Sequence, residues 1–261
     1  MNIIVSIKQV PGTTDVKINK ETNTLIREGV QSIINPFDTY AIEEGVRLKE
    51  RFGGKVIVIT MGPPQAESAL REAIELGADE GILISDRAFA GSDTLSTSYV
   101  LSKAIARIGQ FDLVITGKQT MDGDTGQVGP GLAERLGVPF VAYVSKVEEI
   151  ADGKMRALRL IDEGHDRVEA PLPCVMSVTK EINVPRLPSL RGKMKAKSAK
   201  IPVWSAKDIG ADESKVGVAG SPTWVAHIFS PKRERKSEIF NGSPQEKVTR
   251  LCEKLQEMKV I

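Results

Sequence analysis

The segment IIVSIK, residues 3–8, is a short run of apolar and β-branched residues of the kind that forms a buried strand. Three later segments repeat this pattern: KVIVITM at 55–61, GILIS at 81–85 and FDLVIT at 111–116. The intervals between them are long enough to hold a helix each. The repetition therefore predicts βαβ units with right-handed crossovers and a parallel sheet.

Helical patterns fill the intervals between these strands. Asp38 and Asp93 are good N-caps that open two of the helices, and glycines follow the helix ends. We therefore predict an α/β fold with an open, mainly parallel twisted sheet and helices on both faces. The predicted helices are 38–52, 64–77, 93–109 and one that starts near Val128.

After Pro139 the alternation of strand and helix patterns ends. Three β-rich segments follow, joined by Asp-Gly and Glu-Gly dipeptides, which indicate hairpins between β-rich arms. We expect these segments to add antiparallel strands to the sheet. A further hairpin is predicted in the insert 10–34, with its polar tip at 19–23. The three β-rich segments are 141–149, 154–161 and 166–178.

The rest of the chain is predicted to be a basic loop and a long C-terminal arm. Residues 1–182 form the α/β domain in this division. Residues 183–203 carry six basic side chains and no acidic one, and we interpret them as an exposed loop. Residues 204–261 have little core of their own and should lie on this domain or on another chain. A helix with one apolar face is predicted within them at 244–259.

Composition excludes several classes of protein. The 261 residues carry 36 basic and 34 acidic side chains, and a net charge of +2 gives no bulk electrostatic reason to bind nucleic acid. No run of 18 apolar residues and no signal-peptide pattern occur, so neither a membrane span nor secretion is expected. Two cysteines fit a reducing, cytoplasmic setting, and two histidines argue against a zinc hydrolase. We expect no metal site.

The loop GKQTMDGDTGQVGPG, residues 117–131, is the strongest candidate for a binding site. It directly follows a predicted strand, and ligands of open parallel sheets bind beyond the carboxyl ends of strands. Its glycines allow backbone amides to approach a phosphate, and the helix starting near Val128 adds its N-terminus. Gln119 and Gln127 can pair with an adenine edge. The alternative is a glycine-rich turn with capping carboxylates.

Three other segments have a functional and a structural interpretation. NPFD at 35–38 either joins the site or simply starts a helix. AGSDTLST at 90–97 either offers Thr94 and Thr97 to a diphosphate or is an ordinary Ser/Asp cap. The basic stretch 186–200 is a solvated face or a partner-docking loop, and it lacks the interleaved aromatic residues of a single-strand nucleic-acid site.

Together these segments resemble the beta (small) subunit of electron transfer flavoproteins. The resemblance covers nearly the whole chain, in the right order, and includes the four motifs listed at the end of this paragraph. It implies a Rossmann-like, adenine-nucleotide-binding fold paired with a larger alpha subunit that carries an electron-transferring FAD. The motifs are VSIKQVP, NPFD, GKQTMDGDTGQVGPGLAE and PLPCVMSVTKEINVPRLPSL.

The resemblance also implies which side chains contact the nucleotide and the partner. The loop 184–196 is similar to the family's recognition loop for a partner dehydrogenase, with Arg186, Leu190 and Met194 as the expected contacts. The implied nucleotide contacts are Ser6, Asn35, Pro36, Phe37, Asp38, Met61, Gly117, Lys118, Gln119, Thr120, Met121, Asp122, Gly123, Asp124, Thr125, Gly126, Gln127 and Val128.

Within the family, the chain resembles the members that hold a second FAD and take electrons from NADH. These members split the electrons between a dehydrogenase of the acyl-CoA, enoyl-CoA or 2-hydroxy-acid type and ferredoxin or flavodoxin. The hairpin segment VPGTTDVKINKETNTLIREG at 10–29 and the GSDTLST segment carry this resemblance. Thr94 and Thr97 would supply the extra donors that a diphosphate needs. Because the flavin of such a member does the chemistry, the resemblance implies no catalytic side chain in this chain.

Two other interpretations stay open at this point. The first is a carrier subunit that holds structural AMP and has no activity with NADH. The second, from another class, is an adenylating or ATP-hydrolysing enzyme of similar fold. Such enzymes carry an S-G-G-x-D-[ST]-like loop after the first strand, whereas this chain has KQVPGTTD there.

Overall fold

The computed structural model describes residues 1–12, 32–226 and 237–261, together with the backbone of two short strands at 17–19 and 24–26. The chain divides into two compact units, Met1–Ala226 and His227–Ile261. The first unit contains the whole sheet, and residues 183–226 belong to it.

The strands and helices are numbered along the chain. The strands are β1 (Asn2–Ser6), β2 (Gln9–Pro11), β3 (Lys17–Asn19), β4 (Thr24–Ile26), β5 (Ser32–Ile34), β6 (Lys55–Met61), β7 (Glu80–Ile84), β8 (Leu113–Gly117), β9 (Phe140–Ala151), β10 (Lys154–Ile161), β11 (Gly164–Pro171), β12 (Cys174–Val178) and β13 (Val203–Trp204). The α-helices are α1 (Pro36–Phe52), α2 (Glu67–Glu75), α3 (Thr94–Ile108), α4 (Val128–Leu136), α5 (Leu190–Ser198) and α6 (Pro244–Glu257).

Nine of the described strands form one sheet in the order β11-β10-β9-β12-β8-β1-β6-β7-β13. The six strands from β12 to β13 in this order run parallel to one another. From β1 the chain moves to β6 and β7 on one side, and then returns to β8 on the other side. The carboxyl ends of β1 and β8 therefore flank the point where strand order reverses, which is where α/β sheets bind ligands.

Helices cover both faces of this sheet, as predicted. Helices α1 and α2 pack on one face, where Ile42 and Leu70 join a core with Val5 and Val58. Helices α3 and α4 pack on the other face with Ile4 and its neighbours. The buried strands are apolar on both faces because both faces are covered by helices.

Several predicted boundaries shift in the first half of the chain. Helix α1 begins at Pro36 rather than at Asp38, because a proline in the first helical turn loses no hydrogen bond and has a suitable φ angle. Asn35 takes the N-cap position instead. The stretch predicted as a helix at 64–77 is a 3₁₀ turn at Pro64–Ala66 followed by α2. The hairpin predicted in the insert is confirmed by the antiparallel pairing of β3 with β4.

The prediction for the segment after Pro139 is correct for the hairpins and wrong for one strand. Strands β9, β10 and β11 are antiparallel neighbours, as predicted. The single strand predicted at 166–178 is two strands, because the chain turns at Leu172-Pro173 and proline cannot continue the ladder. Strand β12 then inserts between β8 and β9 and runs parallel to both.

The basic segment predicted as a loop contains helix α5. Its backbone lies so close to α2 that a Cβ on Gly192 would overlap the carbonyl oxygen of Glu75. Arg71 Nη1 donates to the carbonyl of Ala196 at 2.6 Å, and Lys195 Nζ donates to the carbonyl of Ala78 at 3.0 Å. Each helix thus satisfies carbonyl groups at or near the end of the other, and α5 is firmly held on α2.

The described part of the second unit, residues 237–261, contains α6, which confirms the predicted C-terminal helix. Ser243 and Glu246 form a reciprocal capping box at its start. Among the described residues of the whole chain, no helix has the length and apolar character needed to cross a membrane.

Candidate functional site

A row of hydroxyl groups lies at the carboxyl edge of the sheet, where strand order reverses. Ser6, Thr116 and Ser177 are register partners on β1, β8 and β12 and share one face. Thr116 Oγ1 is buried and has no hydrogen-bond partner among the described residues. A Cβ on Gly129, in the first turn of α4, would lie 3.1 Å from that oxygen. A buried polar atom of this kind is well placed for a ligand at the helix N-terminus.

Asn35 joins the NPFD segment to the glycine-rich loop. Its side chain is fully buried. The amide Nδ2 donates to the carbonyl of Gln119 at 2.8 Å, and Oδ1 accepts from the backbone N–H of Met121 at 3.1 Å. Both ends of the side chain are therefore used to hold the loop at the sheet edge, which excludes the simpler interpretation of NPFD as a helix start alone.

Asp38 packs directly against Gly117, the last residue of β8. Its Oδ2 accepts from the backbone N–H of Lys8 at 2.7 Å. A Cβ on Gly117 would overlap Asp38 Oδ1 and lie 2.8 Å from the carbonyl carbon of Phe37, so only glycine fits there. Burial raises the pKa of Asp38 to about 7, although hydrogen bonds from Lys8, Asn35 and Gly117 oppose that rise.

A cleft of about 180 Å³ opens beside this edge, between β2 and the segment that follows β6. Its walls include Met61 and the ion pair of Lys8 with Asp122, whose charged atoms are 2.6 Å apart. Met61 therefore shares one depression with Asp122 of the 117–131 loop. The cleft alone is smaller than the roughly 300 Å³ of typical ligand pockets, so it could hold only part of a ligand.

The exposed part of the loop is shaped by its own polar groups. Gln119 Nε2 donates to Asp124 Oδ1, and Asp124 has a positive φ of 54°. Gly126 also has a positive φ, of 62°. The side chain of Gln127 makes no capping bond to α4, so the first-turn amides of that helix have no side-chain cap from Gln127. The loop residues Thr120, Gly123 and Thr125 complete the segment up to Val128.

Helix α3 starts with a cap of its own. Asp93 Oδ1 accepts from the amides of Leu95 and Ser96, at 2.9 and 3.1 Å. Asp93 Oδ2 accepts from Thr223, so the carboxylate is fully engaged. Thr94 is the first residue of α3, and Thr97 lies about one turn after it. The structure places them on the same side of the sheet as α4, and no hydrogen bond of theirs joins them to the 117–131 loop.

The three residues expected to contact a partner divide into two kinds. Leu190 and Met194 lie one turn apart on α5 and are 78% and 68% exposed. Arg186 instead is bound within the chain, with its Nε 2.8 Å from Glu43 and its Nη1 2.6 Å from Glu50. Hydrogen bonds from Arg186 hold the pKa of the Glu43 carboxyl below its usual range, against the opposing effect of burial.

Sequence reasoning missed Lys8, Thr116 and Ser177. Lys8 and Thr116 stand beside predicted residues at strand ends, so their position was a usable signal. Ser177 carried no such signal, because its strand was predicted to be antiparallel and distant. The described residues contain no group of three or more His, Cys, Asp or Glu that could hold a metal ion.

The chain matches known proteins over most of its length. A model of the electron transfer flavoprotein domain matches residues 22–209. Over its full length the chain is 50% identical to the electron transfer flavoprotein subunit beta of Thermoanaerobacterium thermosaccharolyticum, which is covered completely as well. The chain belongs to the electron transfer flavoprotein family, as a beta subunit.

Two other relatives of this beta subunit carry different names. It is 44% identical over the full length of both chains to the caffeyl-CoA reductase-Etf complex subunit CarD of Acetobacterium woodii. It is 46% identical to protein FixA of Bradyrhizobium diazoefficiens, over 94% of this chain and 88% of the relative.

Proposed function

We propose that this electron transfer flavoprotein subunit binds FAD at the sheet edge between β1 and β8 and takes electrons from NADH. The observation that carries the proposal is the buried Thr116 hydroxyl, which has no partner among the described residues and faces the first turn of α4. A phosphate at that turn would accept hydrogen bonds from the hydroxyl and from backbone amides.

The surrounding residues fit the adenosine half of such a ligand. Asn35 and Asp38 hold the loop at the sheet edge, and Gly117 lets the backbone pass close to α1. The exposed amide of Gln127 remains to bind a base edge or a ribose. The cleft beside Met61 extends the same edge and offers space beyond the phosphates.

When bound, FAD would supply the chemistry of accepting a hydride from NADH and releasing its electrons one at a time. The proposed acceptors are an FAD-dependent dehydrogenase, reached through the FAD of the alpha subunit, and ferredoxin or flavodoxin. The protein contributes orientation and electrostatics. The relative named from the caffeyl-CoA reductase-Etf complex supports a dehydrogenase partner of the acyl-CoA or enoyl-CoA type. A partner of the 2-hydroxy-acid type is the alternative.

The second candidate is structural AMP in the same site, and one observation favours it. Asp93 already occupies two first-turn amides of α3, and its negative charge opposes a phosphate there. Only the hydroxyls of Thr94 and Thr97 then remain for the second phosphate of FAD. AMP has a single phosphate and needs no second donor set.

Cofactor content distinguishes the two candidates. The chain is co-produced with its alpha subunit, and FAD and AMP are released by heat and quantified per heterodimer. Two FAD and bleaching of the flavin absorbance by NADH support the proposal. One FAD and one AMP, with no bleaching, support the second candidate.

Two matched variants test the site itself. Thr116→Val removes only the buried hydroxyl, and we expect the beta-subunit nucleotide to be lost on dilution. Thr94→Val with Thr97→Val should lower FAD content and leave AMP binding intact. Full nucleotide content in Thr116→Val would contradict the placement of the phosphate.

Partner binding is proposed for two further regions. Helix α5 presents Leu190 and Met194 to the dehydrogenase, and replacing either with Glu should weaken electron transfer to it while NADH still bleaches the flavin. Of the arm predicted at 204–261, residues 204–226 belong to the first unit, so only the part that carries α6 is proposed to pack on the alpha subunit. Truncation after Gly242 should then weaken the heterodimer in gel filtration, and unchanged association would place α6 elsewhere.

A further inference from the structure

Tyr143 interrupts β9 with an unusual backbone. Its φ is +57°, the left-handed region that glycine adopts without strain and that a bulky side chain rarely adopts. Two residues of β9 here oppose one residue of β12, because the register passes from Val141 opposite Met176 to Val144 opposite Val178. This is a β-bulge, a feature that redirects side chains and is enriched beside functional sites.

The bulge turns the aromatic ring toward the glycine-rich loop. Lys118 Nζ lies 5.1 Å from the centre of the Tyr143 ring, within the range of a cation–π interaction. A Cβ on Gly126 would lie 3.9 Å from the tyrosine hydroxyl. The backbone N–H of Tyr143 donates to Ser177 Oγ at 3.0 Å, which fixes the bulge to the hydroxyl row.

A purely structural role for the ring does not account for these observations. The Tyr143 side chain is 37% exposed, so it fills no core position. Glycine would adopt the same backbone with less strain. A tyrosine at such a position, on a surface that already forms the candidate site, indicates a role for its ring there.

We propose that Tyr143 is a positioning residue that holds the Lys118 ammonium over the 117–127 loop, where it neutralises a phosphate of the bound nucleotide. This inference rests on the proposed nucleotide site and extends it with a residue from a distant strand. The Lys118 side chain is flexible, and ordering it on binding costs conformational entropy. Contact with the aromatic face restricts it before the nucleotide binds, which lowers that cost.

The test uses the nucleotide-depleted heterodimer and AMP as the probe, because AMP is the part that both candidate cofactors share. Four proteins are titrated by calorimetry beside the wild type: Tyr143→Leu, Tyr143→Phe, Lys118→Met and the double variant Tyr143→Leu/Lys118→Met. Leucine keeps the backbone strain and removes the ring, whereas phenylalanine keeps the ring. Thermal unfolding of each variant is recorded to show that it is folded.

We expect Tyr143→Leu to raise the Kd for AMP about three- to tenfold, the range of a cation–π contribution. Tyr143→Phe should stay within about twofold of the wild type, because the ring remains. The double variant should bind no more weakly than Lys118→Met. The salt dependence of binding should also become shallower in Tyr143→Leu, because a phosphate contact is loosened.

Two results would overturn the inference. The first is unchanged AMP affinity in Tyr143→Leu, with wild-type protein that binds AMP normally. The second is a double variant whose fold-increase in the Kd for AMP equals the product of the increases in the two single variants, since the two side chains would then act independently. If the wild type binds neither AMP nor FAD, the proposed nucleotide site itself is wrong, and that outcome is separate from the other two.

Discussion

The buried carboxyl of Asp38 makes the stability of this protein depend on pH in a defined direction. Its pKa is about 7 in the folded chain and 3.8 ordinarily, and the side chain is only 4% exposed. As pH rises, the unfolded chain releases this proton first. Stability from this group is therefore complete below pH 3.8 and is lost as pH rises through 7.

The magnitude follows from the two pKa values. The linkage relation gives a loss of roughly 2–3 kcal/mol in the free energy of unfolding between pH 5 and pH 8 for this group alone. Asp38→Asn keeps the shape of the side chain and cannot titrate. The wild type minus Asp38→Asn difference should therefore fall by that amount across the same interval.

The measurement is urea unfolding at several pH values, followed by circular dichroism, for wild type and variant. Other titrating groups cancel in the difference between them. Asp166→Asn, an exposed aspartate on β11, is the matched control and should follow the wild-type profile. Parallel pH profiles of wild type and Asp38→Asn would refute the reasoning, since they would mean that this carboxyl is ionised in both states.

Three further predictions concern close packing and the docking helix. Gly117→Ala should lower the free energy of unfolding by at least roughly 1–3 kcal/mol in urea titrations, because the added carbon overlaps backbone, whereas Gly123→Ala in the same loop should cost little. Arg186→Leu leaves the buried carboxylate of Glu43 without its main partner, and we expect roughly 1–3 kcal/mol of destabilisation; an unchanged melting curve would contradict this. Gly192→Ala should displace α5 from α2, detected as faster proteolysis within the basic segment; equal cleavage rates would show that the contact adjusts without cost.

The sequence was sufficient for the parallel sheet because its strands are apolar on both faces and its helices have clear ends. It could not show that β12 inserts between β8 and β9, because strand order depends on packing between segments that are distant in the chain. Helix α5 was missed since its few apolar residues give no strong periodicity, and its stability comes from contacts with α2.

The candidate site was predictable where its residues follow strands directly. Asn35, Asp38 and the glycine-rich loop were all recognised, and the structure brings them into contact. The bulge at Tyr143 could not be predicted, because no glycine or turn-forming residue beside it in the sequence indicates a left-handed backbone.

The position of β12 also has a consequence during synthesis. This strand lies between β8 and β9, yet both of those are made before it. While the ribosome has released only the first 171 residues, one edge of β8 has no neighbour and the β9–β11 hairpins have nothing to attach to. The emerging chain therefore has an unpaired strand edge that can pair with other molecules, until β12 is made and covers that edge.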